Sequence, residues 1–522
     1  MQKQILSLLL VTVSLIVSAQ SNPEKYAAII TKESLQKQLT VIAGPGMEGR
    51  ETGTEGQRKA ASYIVSQFKA FGLTAAPGTD NYQQYYAIGY DSLLNSELIT
   101  GDKTLQYGKD YADETSLNNN GKIQANTIVF VGYGISDTKY DDYADKDVKG
   151  KIVVFFTSEP RLPDGNYLIT GNRNYSDWTY PGGLSQKASL AKKKGAVAAI
   201  VINTNLDTIT ANYAKASKRS NTRLIKTSSE TVNCITFGTT AAKDLLGDDF
   251  FAPVLAKAKN REALNTHTFS KKINISYNFS EQQITTNASN VAGYIAGTDK
   301  KDEYVILTGH YDHLGMRNGK IYFGADDDGS GTCSVLEMAE AFGRAKAEGN
   351  GPRRTIVFMT VSGEEKGLWG SEYYSDHPLF PLDKTSVDLN TDMVGRIDTE
   401  RKTGDTLNYV YVIGHDKLSS ELPLINEAVN TKYTGLVLDY KYDDPNDKNR
   451  IYYRSDHYNF ARKGIPILFF YDGMLQSDYH QPTDTIDKIY WDLYEKRVRM
   501  IFHTAWEMAN RDAMMKRDIP LN

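Results

Sequence analysis

The stretch "TGHYDHLGMRNGKIYFGADDDGSG", residues 308–331, places two histidines and four aspartates within 24 positions. Three of the acids are consecutive, Asp326, Asp327 and Asp328. Such a run repels itself unless it is solvated or shares a cation. A solvated acidic turn is the plain alternative, and the flanking sequence has to decide between the two.

On the N-terminal side, "EYVILTGHYD" is an apolar run that enters the stretch at His310. On the C-terminal side, "SGTCSVLEMAEAFGRAKA" has Val335, Leu336, Met338 and Phe342 at helical spacing. The same strand, loop and helix pattern continues through "RTIVFMTVSGEE", "SVDLNTDMVG" and "GIPILFFYDG". Strands that are apolar on both faces imply a mostly parallel sheet covered by helices, an α/β fold. In such sheets ligands bind beyond the carboxyl ends of the strands. His310, Glu365 and Asp392 each fall just after an apolar run, so they are expected on one edge of one sheet.

With Asp327 and His480 these make five donor-type residues spread over 170 positions, too far apart for a local charge run. Imidazole nitrogen and carboxylate oxygen suit zinc. Five residues hold two zinc ions only if one carboxylate bridges, and Asp327 is suited to that, because glycines around it allow close approach of backbone to metal. Three carboxylates against two Zn²⁺ leave about +1, enough to hold a hydroxide and polarise a carbonyl. A calcium loop is excluded: with Gly329 at its sixth position it would need Asp at 324 and Glu at 335, where the chain has Gly324 and Val335. In "SGEEKG" the adjacent Glu364 and Glu365 point in different directions, so one can bind metal while the other moves a proton.

The chain has 522 residues, too many for one ordinary core. Its formal net charge of −4 gives no reason to expect nucleic acid or an anionic membrane as a partner. Lys3 followed by the apolar Ile5–Ala19 reads as a signal peptide, residues 1–19, with cleavage after Val17-Ser18-Ala19 and export to the periplasm or medium. No membrane insertion is expected once it is removed. The two cysteines, Cys234 and Cys333, lie far apart and no disulfide is expected. Nearer the N-terminus, Ala61, Ile64, Phe68 and Phe71 mark a helix ended by Gly72.

The segments "GHYDHLG", "GADDDGSG", "SGEEKGLWGS", "NTDMVG", "YRSDHYNF" and "YHQPTDT", in this order, resemble the M28 family of di-zinc metallopeptidases of the aminopeptidase Y/S type. The resemblance covers roughly residues 25–95 and 280–515. It implies a zinc exopeptidase-like mixed, mostly parallel sheet, His310 and Asp392 on one zinc, Glu365 and His480 on the other, and Asp327 between them. It further implies Glu364 as general base, Asp312 as the residue orienting His310, Tyr479 as oxyanion donor, and a peptide substrate. The intervening stretch is similar to a protease-associated (PA) domain, through "DVKGKIVVFF" and "SQKASLAKKKGAVAAIVINT". The expected organisation is a peptidase domain of residues 20–95 and 276–522, with a β-rich α/β PA-like insertion at 96–275, read as a lid or access module. His457 in "YRSDHYNF" is expected near the pocket rather than as a ligand, and His313 has no assigned role.

An aminopeptidase releasing N-terminal residues is the leading expectation. A carboxypeptidase or dipeptidase, a glutaminyl-cyclase-like enzyme on the same fold, and a receptor-like binder without catalysis are the alternatives. The complete donor set argues against the last two. Side-chain preference and oligomeric state leave no mark in the sequence.

Overall fold

The computed structural model describes residues 23–179, 182–210, 212–213, 221–224, 231–476 and 478–520. The expected signal peptide lies outside them. Among the described residues no helix is long and apolar enough to cross a membrane.

Twelve of the strands among the described residues set the architecture. β1 (Gln83–Thr100), β2 (Gly121–Phe130), β3 (Ile152–Phe156), β4 (Ala198–Ile202) and β5 (Asn233–Phe237) come first. The long β6 (Ser270–Ile295) then leads into β7 (Lys300–His310), β8 (Arg354–Val361), β9 (Thr385–Thr391), β10 (Tyr409–Ile413), β11 (Val437–Asp439) and β12 (Ile467–Tyr471). Eleven of them lie in one continuous mixed sheet in the order β11-β10-β12-β9-β7-β8-β6-β2-β3-β4-β5, and β1 joins the same sheet by pairing with β6. The apolar runs read from the sequence are these strands: β8, β9 and β12 are buried at every position.

In the C-terminal half, β7 pairs in parallel with β8 and β9, and β9 with β12. β6 against β8 and β10 against β12 are antiparallel there. Both faces are covered. One face packs against α1 (Lys32–Ile42), α2 (Glu55–Ala70), α3 (Gly331–Ala347) and α4 (Trp491–Asn510) through Leu39, Phe68, Phe342 and Phe502. The other face carries Phe380, Phe460 and Ile465. α2 ends as the sequence suggests: Phe71 is the C-cap, and Gly72 follows with φ +76, which a glycine adopts without strain.

Strands β2–β5 have cores of their own, with Phe130, Phe156, Ile200 and Phe251 on one side and Val153, Phe155, Val201 and Cys234 on the other. β2, β3, β4 and β5 run parallel to one another. The two halves are joined by β1 and β6, antiparallel from Gln83–Val291 to Thr100–Ile275. The expected boundaries at 95/96 and 275/276 therefore fall within paired strands rather than in a linker. Cys234 sits in the insertion core and Cys333 on α3, both buried and unpaired.

Candidate active site

Register brings the donors together. Thr308 lies opposite Asn390 in the parallel β7–β9 pair, so His310 and Asp392, each two residues on, emerge side by side. His310 is also opposite Val361, and the chain after β8 turns at once into Glu364 and Glu365. His480 comes from the loop after β12. Asp327 comes from the turn between β7 and α3, inside Ala325–Ser330. The peptide between Asp327 and Asp328 is cis.

Asp327 sits between two donor groups. Its Oδ1 is 3.2 Å from His310 Nε2, and Asp392 Oδ1 is 3.6 Å from the same nitrogen. Its Oδ2 is 3.2 Å from His480 Nε2, and Glu365 Oε2 is 3.0 Å from that nitrogen. A tetrahedral zinc with bonds of about 2.0–2.1 Å sets its ligand atoms about 3.3 Å apart. All four separations are close to that spacing, so the residues fit two zinc ions that share Asp327. Glu364 Oε2 lies farther out, 3.9 Å from His310 Nε2. Buried polar atoms add to the fit: His310 Nε2 and Asp327 Oδ2 have no hydrogen-bond partner.

The electrostatics separate the two adjacent glutamates. Burial, then the charges of Asp392 and Glu365, push Glu364 well above the usual carboxylate range, against the pull of His310. Burial and Asp327 also act to raise Glu365, but its contacts with His313 and His480 outweigh them and hold it low. At Asp327, burial is outweighed by His310 and His480, and its carboxyl stays well below the ordinary value. Burial would lower His480, yet Asp327 and Glu365 bring it up to about 10. The raised His480 and the lowered Asp327 and Glu365 have one cause, a site whose clustered carboxylates favour positive charge, which a bound cation would supply.

The other expected residues are also at the site. Asp312 Oδ1 is 3.6 Å from His310 Nδ1, while the main-chain carbonyl of Asp312 is nearer, at 3.1 Å. The Asp312 carboxylate accepts from Thr52 Oγ1 at 2.6 Å and from the Glu364 amide at 3.2 Å, so it also holds the glutamate turn in place. Tyr479 stacks on His480, with ring centroids 3.9 Å apart, and its hydroxyl accepts from Arg454 Nη2 at 3.0 Å. Tyr479 lines a cleft with Asp327, Glu364 and Asp392; its other walls are Met393, Ile451, Phe469, Tyr471 and Leu475. His457 is fully buried behind this cleft, stacked on Phe469 and 2.8 Å from the Tyr452 carbonyl.

Several contributors were not legible in the sequence. Ser455 Oγ donates to Asp392 Oδ2 at 2.6 Å and itself accepts from Asn390 Nδ2 at 2.8 Å. His313 Nδ1 lies 2.7 Å from Glu365 Oε1, the oxygen that His480 does not take. His313 is 3.9 Å from Asp327 Oδ2, so it spans the two carboxylates less evenly than His480 does. Arg50, fully buried, donates to the carbonyls of Ile42, Tyr311, Phe323 and Gly324 and so fixes both ends of the opening stretch. Gly331 is required: a Cβ there would lie 2.1 Å from the Thr391 carbonyl oxygen, where α3 passes β9. "YRSDHYNF" and "GHYDHLG" did contain Ser455 and His313, but no spacing rule says which carboxylate each would touch.

Residues 290–505 match the profile of Peptidase family M28, and residues 119–235 that of the PA domain. A probable leucine aminopeptidase of Arthroderma otae is 30% identical over 216 residues, which are 40% of this chain and 55% of that protein. Leucine aminopeptidase 1 of Penicillium rubens is 29% identical over 216 residues, 40% of this chain and 53% of that protein. The chain thus spans about half the length of the curated relatives it matches. Among solved structures, an aminopeptidase from Aneurinibacillus sp. strain AM-1 has the same fold: TM-score 0.51, 19% identity, 96% of this chain and 99% of that one. By sequence and fold, this chain carries a peptidase family M28 domain with a PA domain lying ahead of it.

Proposed function

We propose that the chain is an exported di-zinc exopeptidase that releases apolar residues from the N-termini of peptides. The observation that carries this reading is the set of four donor separations of 3.0–3.6 Å centred on Asp327. His310 and Asp392 would hold one zinc, Glu365 and His480 the other, with Asp327 shared. The five-donor set speaks against a single-zinc cyclase-like enzyme and against a metal-free binder. The names of the leucine aminopeptidase relatives support the choice of terminus, and the apolar walls Met393, Ile451, Phe469 and Leu475 support an apolar side chain beside the donors. Residues 1–19 act as the export signal in this reading. Residues 20–95 with 276–522 form the peptidase, and 96–275 the insertion.

Zinc bound there would supply Lewis acidity, polarising the scissile carbonyl and lowering the pKa of a water to about 7. Glu364, outside the donor spacing and with a raised pKa, takes the proton of the attacking water and passes it to the leaving amine. The Tyr479 hydroxyl already accepts from Arg454, which leaves its own proton free to donate to the developing oxyanion. Asp312 keeps Glu364 in position through its amide, and Ser455 orients Asp392.

The test is cleavage of a peptide set with free or blocked N- and C-termini, with zinc per chain measured on the same preparation. Blocking the N-terminus should abolish cleavage and blocking the C-terminus should not. Loss of cleavage on C-terminal blocking alone would replace this reading with a carboxypeptidase.

A further inference from the structure

The insertion has a second cleft, of about 440 Å³, lined by Thr157, Ser158, Tyr175, Trp178, Leu184, Lys187 and Arg261, with Thr179 at its edge. Its floor is aromatic and aliphatic, and its polar groups are cationic or hydroxyl. Lys187 is 2% exposed and donates to the Ser158 carbonyl. Arg261 donates Nη1 to the Tyr167 hydroxyl at 2.9 Å, and Arg161 donates to that same hydroxyl. Among the described residues no carboxylate lies within ion-pair distance of Lys187, Arg161 or Arg261. Glu159, fully buried, is taken up by the amide and hydroxyl of Ser176 at 2.8 and 2.7 Å. Ser158 Oγ and Thr179 Oγ1 are buried with no hydrogen-bond partner. Ser158 has φ +77, a left-handed conformation costly for a residue with a Cβ. Burial brings the Lys187 amine down to about 7, against Asp142 and Glu159, so an anion at its tip would strengthen its charge.

This cleft adjoins the candidate active site. Asn174 Nδ2 donates to the Pro445 carbonyl at 2.7 Å, joining the insertion loop to the peptidase. The Arg450 guanidinium lies 5.9 Å from the Tyr175 ring and 4.6 Å from the Tyr453 ring. Next in the chain, Ile451 and Arg454 line the cleft that holds Asp327, Glu364 and Asp392. Tyr175 of one cleft and Ile451 of the other are therefore linked through Arg450, at the start of the Ile451–Tyr453 turn.

We propose that the insertion cleft is a distal subsite for the C-terminal residue of a short peptide whose N-terminal bond lies at the donor cluster. The α-carboxylate is met by Lys187, Arg261 and the two unpartnered hydroxyls, charge-assisted contacts that an amide could not replace. The side chain rests on Trp178, Tyr175 and Leu184. This inference rests on the exopeptidase reading and adds to it a preference for peptides of limited length with a free carboxylate.

The test uses the full chain with leucine followed by one to six alanines, each peptide as free acid and as C-terminal amide, and with leucine p-nitroanilide. At the length that spans the two cavities, amidation should raise KM by about tenfold or more with little change in kcat. Arg261→Gln and Lys187→Met should remove that discrimination and leave zinc content and leucine p-nitroanilide turnover unchanged. Arg261 is partly exposed, so Arg261→Gln carries the test if Lys187→Met fails to fold. Equal KM for acid and amide at every length, or discrimination that persists in Arg261→Gln, overturns the proposal. If no substrate is cleaved, the exopeptidase reading fails separately. Trp178 emission still reads the subsite in that case: free-acid peptide should change it in the parent chain and not in Trp178→Phe, and no change in the parent refutes the subsite.

Discussion

Replacing Glu364 and Glu365 one at a time by glutamine should break two different properties of adjacent residues. Glu364 Oε2 is 3.9 Å from the nearest ligand nitrogen, outside the spacing of about 3.3 Å that two ligands of one zinc require. Glu364→Gln therefore removes a basic site and leaves all four donor separations as they are. Zinc per chain and thermal stability should stay at the parent values. Turnover should fall about 10²–10⁴-fold, roughly 3–5 kcal/mol of barrier. Glu365 has both oxygens committed, Oε2 3.0 Å from His480 Nε2 and Oε1 2.7 Å from His313 Nδ1. A glutamine there turns one oxygen into an NH₂ group facing a ring nitrogen and withdraws a charge that holds His480. Zinc affinity should drop by more than the 10–100-fold that losing an outer partner costs, and occupancy and stability should drop with it. The assay is metal analysis, thermal unfolding and leucine p-nitroanilide kinetics on the two variants side by side. Loss of zinc in Glu364→Gln with full zinc in Glu365→Gln would refute the assignment.

Chelation should abolish peptide cleavage and added zinc should restore it; activity that persists with metal shown to be absent would end the two-zinc reading. Ser455→Ala, which leaves Asp392 Oδ2 without its 2.6 Å donor, should weaken zinc binding about 10–100-fold without unfolding the chain, as read by competition with a chromogenic chelator. Burial lowers His457 to about 3, so the unfolded state binds the extra proton, and stability present above pH 6.5 is lost as pH falls toward 3. The full loss is up to about 5 kcal/mol at 1.36 kcal/mol per unit. His457→Phe, which retains the stack on Phe469, should flatten that part of the denaturation-versus-pH curve, and an unchanged slope would count against it. Exported protein should begin at Gln20 by intact mass, and material retaining Met1 would count against a cleaved signal.

Much of the peptidase half was legible because its strands are apolar on both faces and end in chemistry. "RTIVFMTV" could hardly be anything but a buried strand, and it is β8, buried at all eight positions. Four of the five donors could be named because His310 ends such a strand, Asp392 and Glu365 follow one within four residues, and Asp327 lies in a glycine-flanked turn; His480, nine residues past β12, was placed only by its motif. What could not be read is whatever depends on contacts across the fold. Ser455 reaches Asp392 over 63 positions, and Arg50 reaches Gly324 over 274. Their partners are set by register and loop path, and no local pattern encodes those. The limits of the insertion were blurred for a related reason. β1 and β6 each run through both halves, and composition shifts gradually along a shared strand.

The structure also explains how three consecutive buried acids are tolerated, because their side chains serve three different sets of partners. Asp328 accepts from the amides of His310, Gly331 and Met393 at 3.0, 2.7 and 3.1 Å, tying the end of β7, the start of α3 and the exit of β9 together. Asp326 accepts from Gly395 N at 2.8 Å and from Ser330 Oγ at 3.1 Å, on the opposite side of the turn. Asp484 in turn accepts the amides of Asp326 and Asp327, which points the middle side chain at the histidines. Burial pushes Asp326 and Asp328 well above the usual carboxylate range, while the histidines hold Asp327 well below it. Two of the three carboxyls thus serve as structural ties, each held by main-chain amides, and the middle one is left to face the histidines. A solvated acidic turn would leave all three exposed and interchangeable; here they are buried and each has its own partners. The middle carboxylate alone has each oxygen facing a histidine ring nitrogen, Oδ1 that of His310 and Oδ2 that of His480, which is the geometry a residue shared between two metals requires.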